Sequence, residues 1–243
     1  MPSKEILLTT LLHRPYVFAF LISFLIIGFL NRGILRTFLF LTLGTTIAFL
    51  SEYSSIRNGF PYGMYHYLPE AMKGEWIVGG VPVWDSLSYS FLAYAAYETA
   101  SYFYPTQDKS GWHLPILSSL LMVMIDIVVD PLAVRGGRWF LGEIFYYPTG
   151  GLYFGVPLTN FAGWLLVALC IFSSYHFIEQ KIFSKPPPQR RPQLGVQFYW
   201  GILIFNFIIT FWLREWVLGA TGLGMQLLSI GVLKLFSKKS TDS

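Results

Sequence analysis

Seven apolar blocks set the terms for this chain. They run from about Tyr16 to Leu30, Ile34 to Ser51, Val83 to Tyr104, Leu114 to Val129, Leu158 to Phe177, Val196 to Leu213 and Val217 to Phe236. Most approach the roughly 20 residues that an α-helix needs to cross the hydrocarbon core of a bilayer. The first block is short and the last is rich in glycine, so the expected count is about seven spans, within six to eight. Charged residues make up 12% of the chain, against about 25% in a soluble domain, too few to hold this surface in water. The expected fold is an all-α, polytopic integral membrane protein in which residues 1–243 form a single membrane-embedded domain.

Cys170 has no second cysteine to pair with, which excludes an intrachain disulfide and a cysteine-based metal cluster. Its position within an apolar block reads as a small buried side chain rather than a reactive thiol. No small-residue cleavage site follows the apolar run of MPSKEILLTTLLHRP, so no removable signal peptide is expected. The net charge of +4 is modest and carries no indication of nucleic-acid binding. Its placement says more: the basic run KIFSKPPPQRR lies in one short loop, which the positive-inside rule assigns, with the C-terminus, to the cytoplasm. Proline-rich and basic, this run reads as a stiff surface connector, with a partner-binding site as the alternative.

The loops 52–82 and 130–157 fall on the same side and are full of Gly, Tyr, Phe and Trp. Such composition is expected to pack back onto the helix ends as a lid or a partly re-entrant segment, which is allowed where the backbone is buried in protein. The two halves also echo each other. Glu52, a loop, then Gly80-Val81-Pro82 and Asp85 are matched by Asp126, a loop, then Gly155-Val156-Pro157 and Asn160. Proline is favoured at a helix start on geometry alone, so the signal lies in the shared order and spacing. Both halves begin on one side, which makes this weak internal repeat parallel rather than inverted.

Within MVMIDIVVDP, Asp126 and Asp130 stand four residues apart and share one helix face, about 6 Å apart along the axis. Asp130 precedes Pro131, where a helix tends to end, so it is expected at the interface with Asp126 one turn deeper. An acid inside the bilayer is costly and is usually functional, although Asp130 also fits a plain helix-end residue. Two carboxyls held close and away from water do not both ionise easily, so one is expected to keep its proton at neutral pH. Glu52 and Asp85 lie on the same side and can join them. His66, within PYGMYHY, is a further candidate, with a hydrogen-bonded loop histidine as the plainer account. Glu98 lies towards the other end of its span and is expected to pair structurally there.

Aromatic residues, among them Tyr62, Tyr65, Tyr67, Trp76, Trp84, Trp139, Tyr146, Tyr147, Tyr153, Phe161 and Trp164, crowd the same side. Interfacial belts account for part of this. Aromatic faces also stabilise a cation, by roughly 2 kcal/mol or more when desolvated. An acid donor, a second carboxylate, aromatic walls and a cavity open to lipid together suit protonation of an isolated alkene, sheltering of the tertiary carbocation and delivery of water.

The ordered set E-x10-G-x-Y-x-Y (Glu52, Gly63, Tyr65, Tyr67), GVP-x-x-D (Gly80 to Asp85), D-x3-DP (Asp126 to Pro131) and GVP-x-x-N-x-x-GW (Gly155 to Trp164) resembles the membrane carotenoid biosynthesis family of carotenoid 1',2'-hydratases and bisanhydrobacterioruberin hydratases. The resemblance covers residues 45–180; the first and last spans match only as hydrophobic helices. It implies water addition across the C1'–C2' double bond of an acyclic carotenoid end, giving a tertiary alcohol, as a hydro-lyase in a bacterial or archaeal cell membrane. By analogy Asp126 or Glu52 donates the proton, Asp130 or Asp85 orients water, and Asn160 hydrogen-bonds that water. Tyr65, Tyr67, Trp84, Trp139, Tyr147, Asn160 and Trp164 are the implied substrate-binding residues. No cofactor or metal is implied, and the implied partners are a lipophilic carotenoid from the bilayer, membrane lipid and other enzymes of the carotenoid pathway.

Two other readings fit parts of the sequence. D-x3-D can bind Mg²⁺ and a diphosphate in an intramembrane prenyltransferase, with Arg135 and Arg138 nearby, although a second aspartate cluster is missing. Buried acids can also relay protons in a proton-coupled transporter, which should place them near the midplane on broken helices.

Overall fold

A computed structural model describes residues 11–12, 14–72, 74–104 and 111–241, with the side chains of 232 and 234–241 left aside. Seven helices carry the described chain: α1 Pro15–Asn31, α2 Ile34–Asn58, α3 Val83–Phe103, α4 His113–Ala133, α5 Leu158–Ile182, α6 Gln193–Trp212 and α7 Trp216–Thr241. Short two-residue strands decorate the loops: β1 His66–Tyr67, β2 Ile77–Val78, β3 Val81–Pro82 and β4 Phe145–Tyr146. The protein is therefore all-α, as its apolar blocks require. Helices α2, α4, α5 and α6 are each long and apolar enough to cross a membrane, and α1 and the Trp216–Gly231 part of α7 are shorter apolar helices.

Helix α3 meets a different requirement. From Tyr89 to Ala100 every residue is buried, so this helix sees protein on all sides and not lipid. Its sequence, SYSFLAYAAYETA, suits that position: alanine has the highest helix propensity, and small side chains let neighbouring helices approach. At Gly44 of α2 an added Cβ would stand 2.8 Å from Ser90 Oγ of α3, and Thr45 Oγ1 shares a hydrogen bond with Ser90 Oγ at 2.9 Å. Phe40 of α2 packs against Tyr94, Tyr97 and Tyr175, with ring centroids 4.8–5.8 Å apart.

The repeated motifs become two matching helix hairpins, α2–α3 and α4–α5. In each, the Gly of GVP has positive φ (84° at Gly80, 93° at Gly155). The valine is fully buried and the proline forms the N-cap of the following helix. Their loops meet through β1 and β4, which pair antiparallel with His66 opposite Tyr146 and Tyr67 opposite Phe145. The Leu68 amide extends the ladder to the Ile144 carbonyl at 2.8 Å. The lid expected from the loop composition is thus a contact between the two halves.

Three expectations need correction. Helix α2 runs on to Asn58, so Glu52 lies inside it, not at its end, and the loop begins later than residue 52. Helix α4 continues through Pro131 to Ala133; proline removes one amide donor there, but the Val134 amide still closes on the Asp130 carbonyl at 3.0 Å. Asp130 therefore lies within the helix. Cys170 is exposed: on α5 its neighbours Ala168 and Ile171 face the core, and the helical turn carries Cys170 outwards.

At the opposite end, Glu98 pairs as expected. Its carboxylate takes Arg32 Nε at 2.5 Å and Asn31 Nδ2 at 2.9 Å, while Arg36 Nε meets Glu179 at 2.8 Å. The connector containing KIFSKPPPQRR docks here, with the Gln189 and Arg191 amides on Asn31 at 3.0 Å. The Arg32 and Glu98 side chains are 6% and 1% exposed, and removing one member of such a pair leaves the other charge buried. Glu98→Gln and Arg32→Met are each expected to lower stability by about 3–5 kcal/mol, and the double variant by less than their sum. Unfolding of detergent-solubilised protein measures both.

Candidate active site

At the loop end of the bundle, Asp126 and Asp130 of α4 face Asn160 in the first turn of α5. One amide nitrogen serves both acids: Asn160 Nδ2 donates to Asp126 Oδ2 at 2.9 Å and to Asp130 Oδ2 at 2.6 Å. Asp126 is fully buried, Asn160 is 2% exposed and Asp130 8%. Asp126 Oδ1 is buried with no hydrogen-bond partner among the described residues. The Tyr147 hydroxyl lies 3.5 Å from Asp130 Oδ2, at the outer limit of a hydrogen bond.

The facing wall carries the other acids. Glu52 of α2 accepts a 2.5 Å hydrogen bond from Ser86 Oγ of α3. Asp85, one residue earlier, takes Arg14 Nη1 at 2.5 Å, and Arg14 Nε takes Glu75 at 2.8 Å. Arg14 thus ties the chain just ahead of α1 both to the first loop and to the start of α3. Its charge is secure: burial opposes it, but Asp85 and then Glu75 outweigh that and raise its pKa above the ordinary arginine value.

Between these walls lies a cavity of about 180 Å³, room for several waters or for the end of a slender apolar molecule. Glu52, Asp85, Asp130 and Asn160 border it, and its apolar depth is lined by Val17, Phe20, Phe91, Leu92, Ile202 and Phe205. Tyr65, Tyr67, Phe145 and Tyr147 cover it from the loops, with Tyr65 5.3–5.9 Å from the other three rings. Burial, and then the Glu52 carboxyl, push the Tyr65 and Tyr67 phenols well above their ordinary pKa. Burial and then Asp130 do the same for Tyr147. All three remain neutral O–H donors. On the far side Trp164 stacks on Tyr89 at 4.6 Å.

Of the residues singled out from sequence, Glu52, Asp85, Asp130, Tyr62, Tyr65, Tyr67, Trp139, Tyr147, Asn160 and Trp164 border the cavity. Asp126 does not border it and lies behind Asn160, which it shares with Asp130. Trp84 does not border it: its ring stacks on Trp76 at 6.2 Å and packs against Phe18 at 4.8 Å. His66 is exposed on β1 beside Tyr146 and does not border the cavity. Sequence reasoning passed over Arg14, Glu75, Ser86, Tyr89 and the cavity faces of α1 and α6. Tyr89 was within reach of helical spacing, four residues after Asp85, whereas Ser86, one residue on, turns to Glu52.

The family model described as "Carotenoid biosynthesis protein" matches residues 13–229. The chain belongs to that family, and the match extends well beyond the motif-bearing residues 45–180. Among curated proteins, the chain is 34% identical over 125 residues to a protein of Haloarcula japonica named "Bisanhydrobacterioruberin hydratase", a match covering 50% of this chain and 39% of the relative. The chain thus spans well under two thirds of that relative's length. No solved structure matches the chain.

Gly163, in the GW of the last motif, shows how closely the first loop seats on α5. A Cβ there would stand 2.7 Å from the Pro61 carbonyl oxygen and from Tyr62 Cδ1, and the backbone atom cannot swing aside. Gly163→Ala is expected to cost about 1–3 kcal/mol through overpacking. Gly201→Ala on α6, where nothing lies within 4 Å, is expected to be neutral or stabilising by up to about 1 kcal/mol. Thermal unfolding of the two variants side by side tests the contrast.

Proposed function

We propose that the protein is a hydratase of carotenoid biosynthesis, adding water across the terminal C1'–C2' double bond of an acyclic carotenoid end to give a tertiary alcohol. The observation that carries this reading is the Asp126–Asn160–Asp130 group at the edge of an apolar, aromatic-covered cavity. The family, and the name of the Haloarcula japonica relative, support the pathway and the reaction class.

Two carboxyls this close in a dry site share one proton. Asp130 borders the cavity and presents that proton, with Asp126 behind it as the partner that keeps it available. Transfer to C2' breaks the double bond and leaves a tertiary cation at C1', which faces of Tyr65, Tyr67, Tyr147 and Trp164 shelter. Water adds its oxygen to C1', and its surplus proton passes to a carboxylate of the facing wall, Glu52 or Asp85. From there it returns to the acid pair for the next turnover, so the net change is one water added.

The rival readings have less to stand on. Both arginines that a diphosphate would need are engaged by protein: Arg135 binds the Pro131 and Phe154 carbonyls and Glu215, and Arg138 binds Glu215 and the Leu213 carbonyl. The acids also gather at one end of the bundle beneath the loops, whereas a proton-coupled transporter should hold them near mid-membrane.

In a host that makes an acyclic carotene, expression should yield pigment heavier by one water for each end hydrated. Asp130→Asn and Asp126→Asn are expected to lower that yield by about 10²–10⁴-fold at equal protein level, the usual span for loss of a general acid. Mass spectrometry of extracted pigment reads the result. Unchanged pigment with acyclic, monocyclic and longer-chain carotenoids alike would sink the hydratase reading and direct the test to proton flux in vesicles.

A further inference from the structure

The group at the cavity that the reading above leaves unused is Arg14. Its side chain is 4% exposed, with Nε on Glu75 and Nη1 on Asp85. The third nitrogen, Nη2, is buried and has no hydrogen-bond partner among the described residues, although Arg14 borders the cavity. A guanidinium is a rigid fork of five donors, and two of its arms are fixed, so the direction of the third is fixed as well. Buried donors are nearly always satisfied, which calls for an acceptor oxygen at this corner. Asp85, held against Nη1, keeps 17% of its side chain exposed and borders the same cavity. A donor and an acceptor therefore stand side by side on the wall that faces Asp130. With two carboxylates on one guanidinium, the cluster keeps a net negative charge, which suits a site where a cation forms.

Resting on the hydratase reading, we propose that Arg14 is a positioning residue for the attacking water: Nη2 donates to the water oxygen and Asp85 accepts one of its protons. The water then has one lone pair on Arg14 and one directed into the cavity, towards the cationic carbon. When the new C–O bond forms, Asp85 takes the released proton. The cluster does not protonate the alkene, so its loss separates the two halves of the reaction. The cation still forms, but with no water in place it loses a proton from carbon and reverts to an alkene.

The test is carried out in D₂O with purified full-length protein and an acyclic carotene in detergent micelles, following hydration and deuterium in recovered alkene by mass spectrometry. Arg14→Lys keeps the charge but lacks the fork. It is expected to lower kcat for hydration by about 10²-fold, the loss that misplacing a reacting group commonly brings, with KM unchanged and the ratio of deuterium exchange to hydration raised. Asp85→Asn, which keeps side-chain size and leaves Arg14 in place, should shift the ratio the same way, and it decides the matter if Arg14→Lys does not accumulate. Hydration and exchange falling together in folded variants would overturn the assignment. So would a raised KM with kcat unchanged, which would make Arg14 a residue of substrate binding and not of water placement. Wild-type protein that neither hydrates nor exchanges would instead bring down the hydratase reading itself.

Discussion

Two carboxyl groups sit within one turn of α4, in a part of the chain almost without water, and the side-chain amide of Asn160 is what allows them to stay there. Its single nitrogen serves Asp126 and Asp130 together. An uncompensated polar group in such surroundings costs several kcal/mol, so the site holds only where α4 and α5 are kept in register to within hydrogen-bond tolerance. Much of the remaining architecture serves that register. Pro157 starts α5 at the position that brings Asn160 into its first turn, and the β1–β4 ladder locks the two loops over the result.

The two hairpins do the same job with different residues. Glu52 stands where Asp126 stands in the repeat, and Asp85 where Asn160 stands. One half pairs acid with amide; the other directs its acids to Ser86 and Arg14. This divergence gives the cavity two unlike walls, one built on an acid pair and its shared amide, the other on a serine-bound and an arginine-bound carboxylate. Helix α3 makes the arrangement compact. As the helix enclosed by protein it can carry Ser, Thr, Tyr and Glu98, which a lipid-facing helix could not do at comparable cost.

Much of this was legible in the sequence because its signals are periodic or expensive. The apolar blocks mark the helices, the four-residue spacing puts Asp126 and Asp130 on one face, and the repeated order of acid, loop and GVP matches the hairpins. Errors came where a local rule met tertiary context. Pro131 reads as a helix end, yet near a C-terminus the loss of one amide donor is easily borne. Trp84 was expected in the cavity beside Asp85, but successive helical residues turn by about 100°, and that turn sends Trp84 to Trp76 and Phe18. Arg14 left no mark, since an arginine ahead of an apolar helix reads as an ordinary membrane-edge charge. Its partners Glu75 and Asp85 come from distant parts of the chain. The α1 and α6 walls were hidden for the opposite reason: their apolar residues look the same facing a cavity as facing lipid.

If water adds to an alkene inside this cavity, the oxygen of the product comes from the solvent, and labelled water reveals it. Purified protein is incubated with an acyclic carotene in water enriched in ¹⁸O, and the product is examined by mass spectrometry with fragmentation. Hydration should give a tertiary alcohol at the chain end carrying the heavy oxygen, formed in proportion to protein and without any added reductant or nucleotide. Product whose oxygen comes from dissolved O₂, or a carotene recovered unchanged beside folded protein, would contradict it.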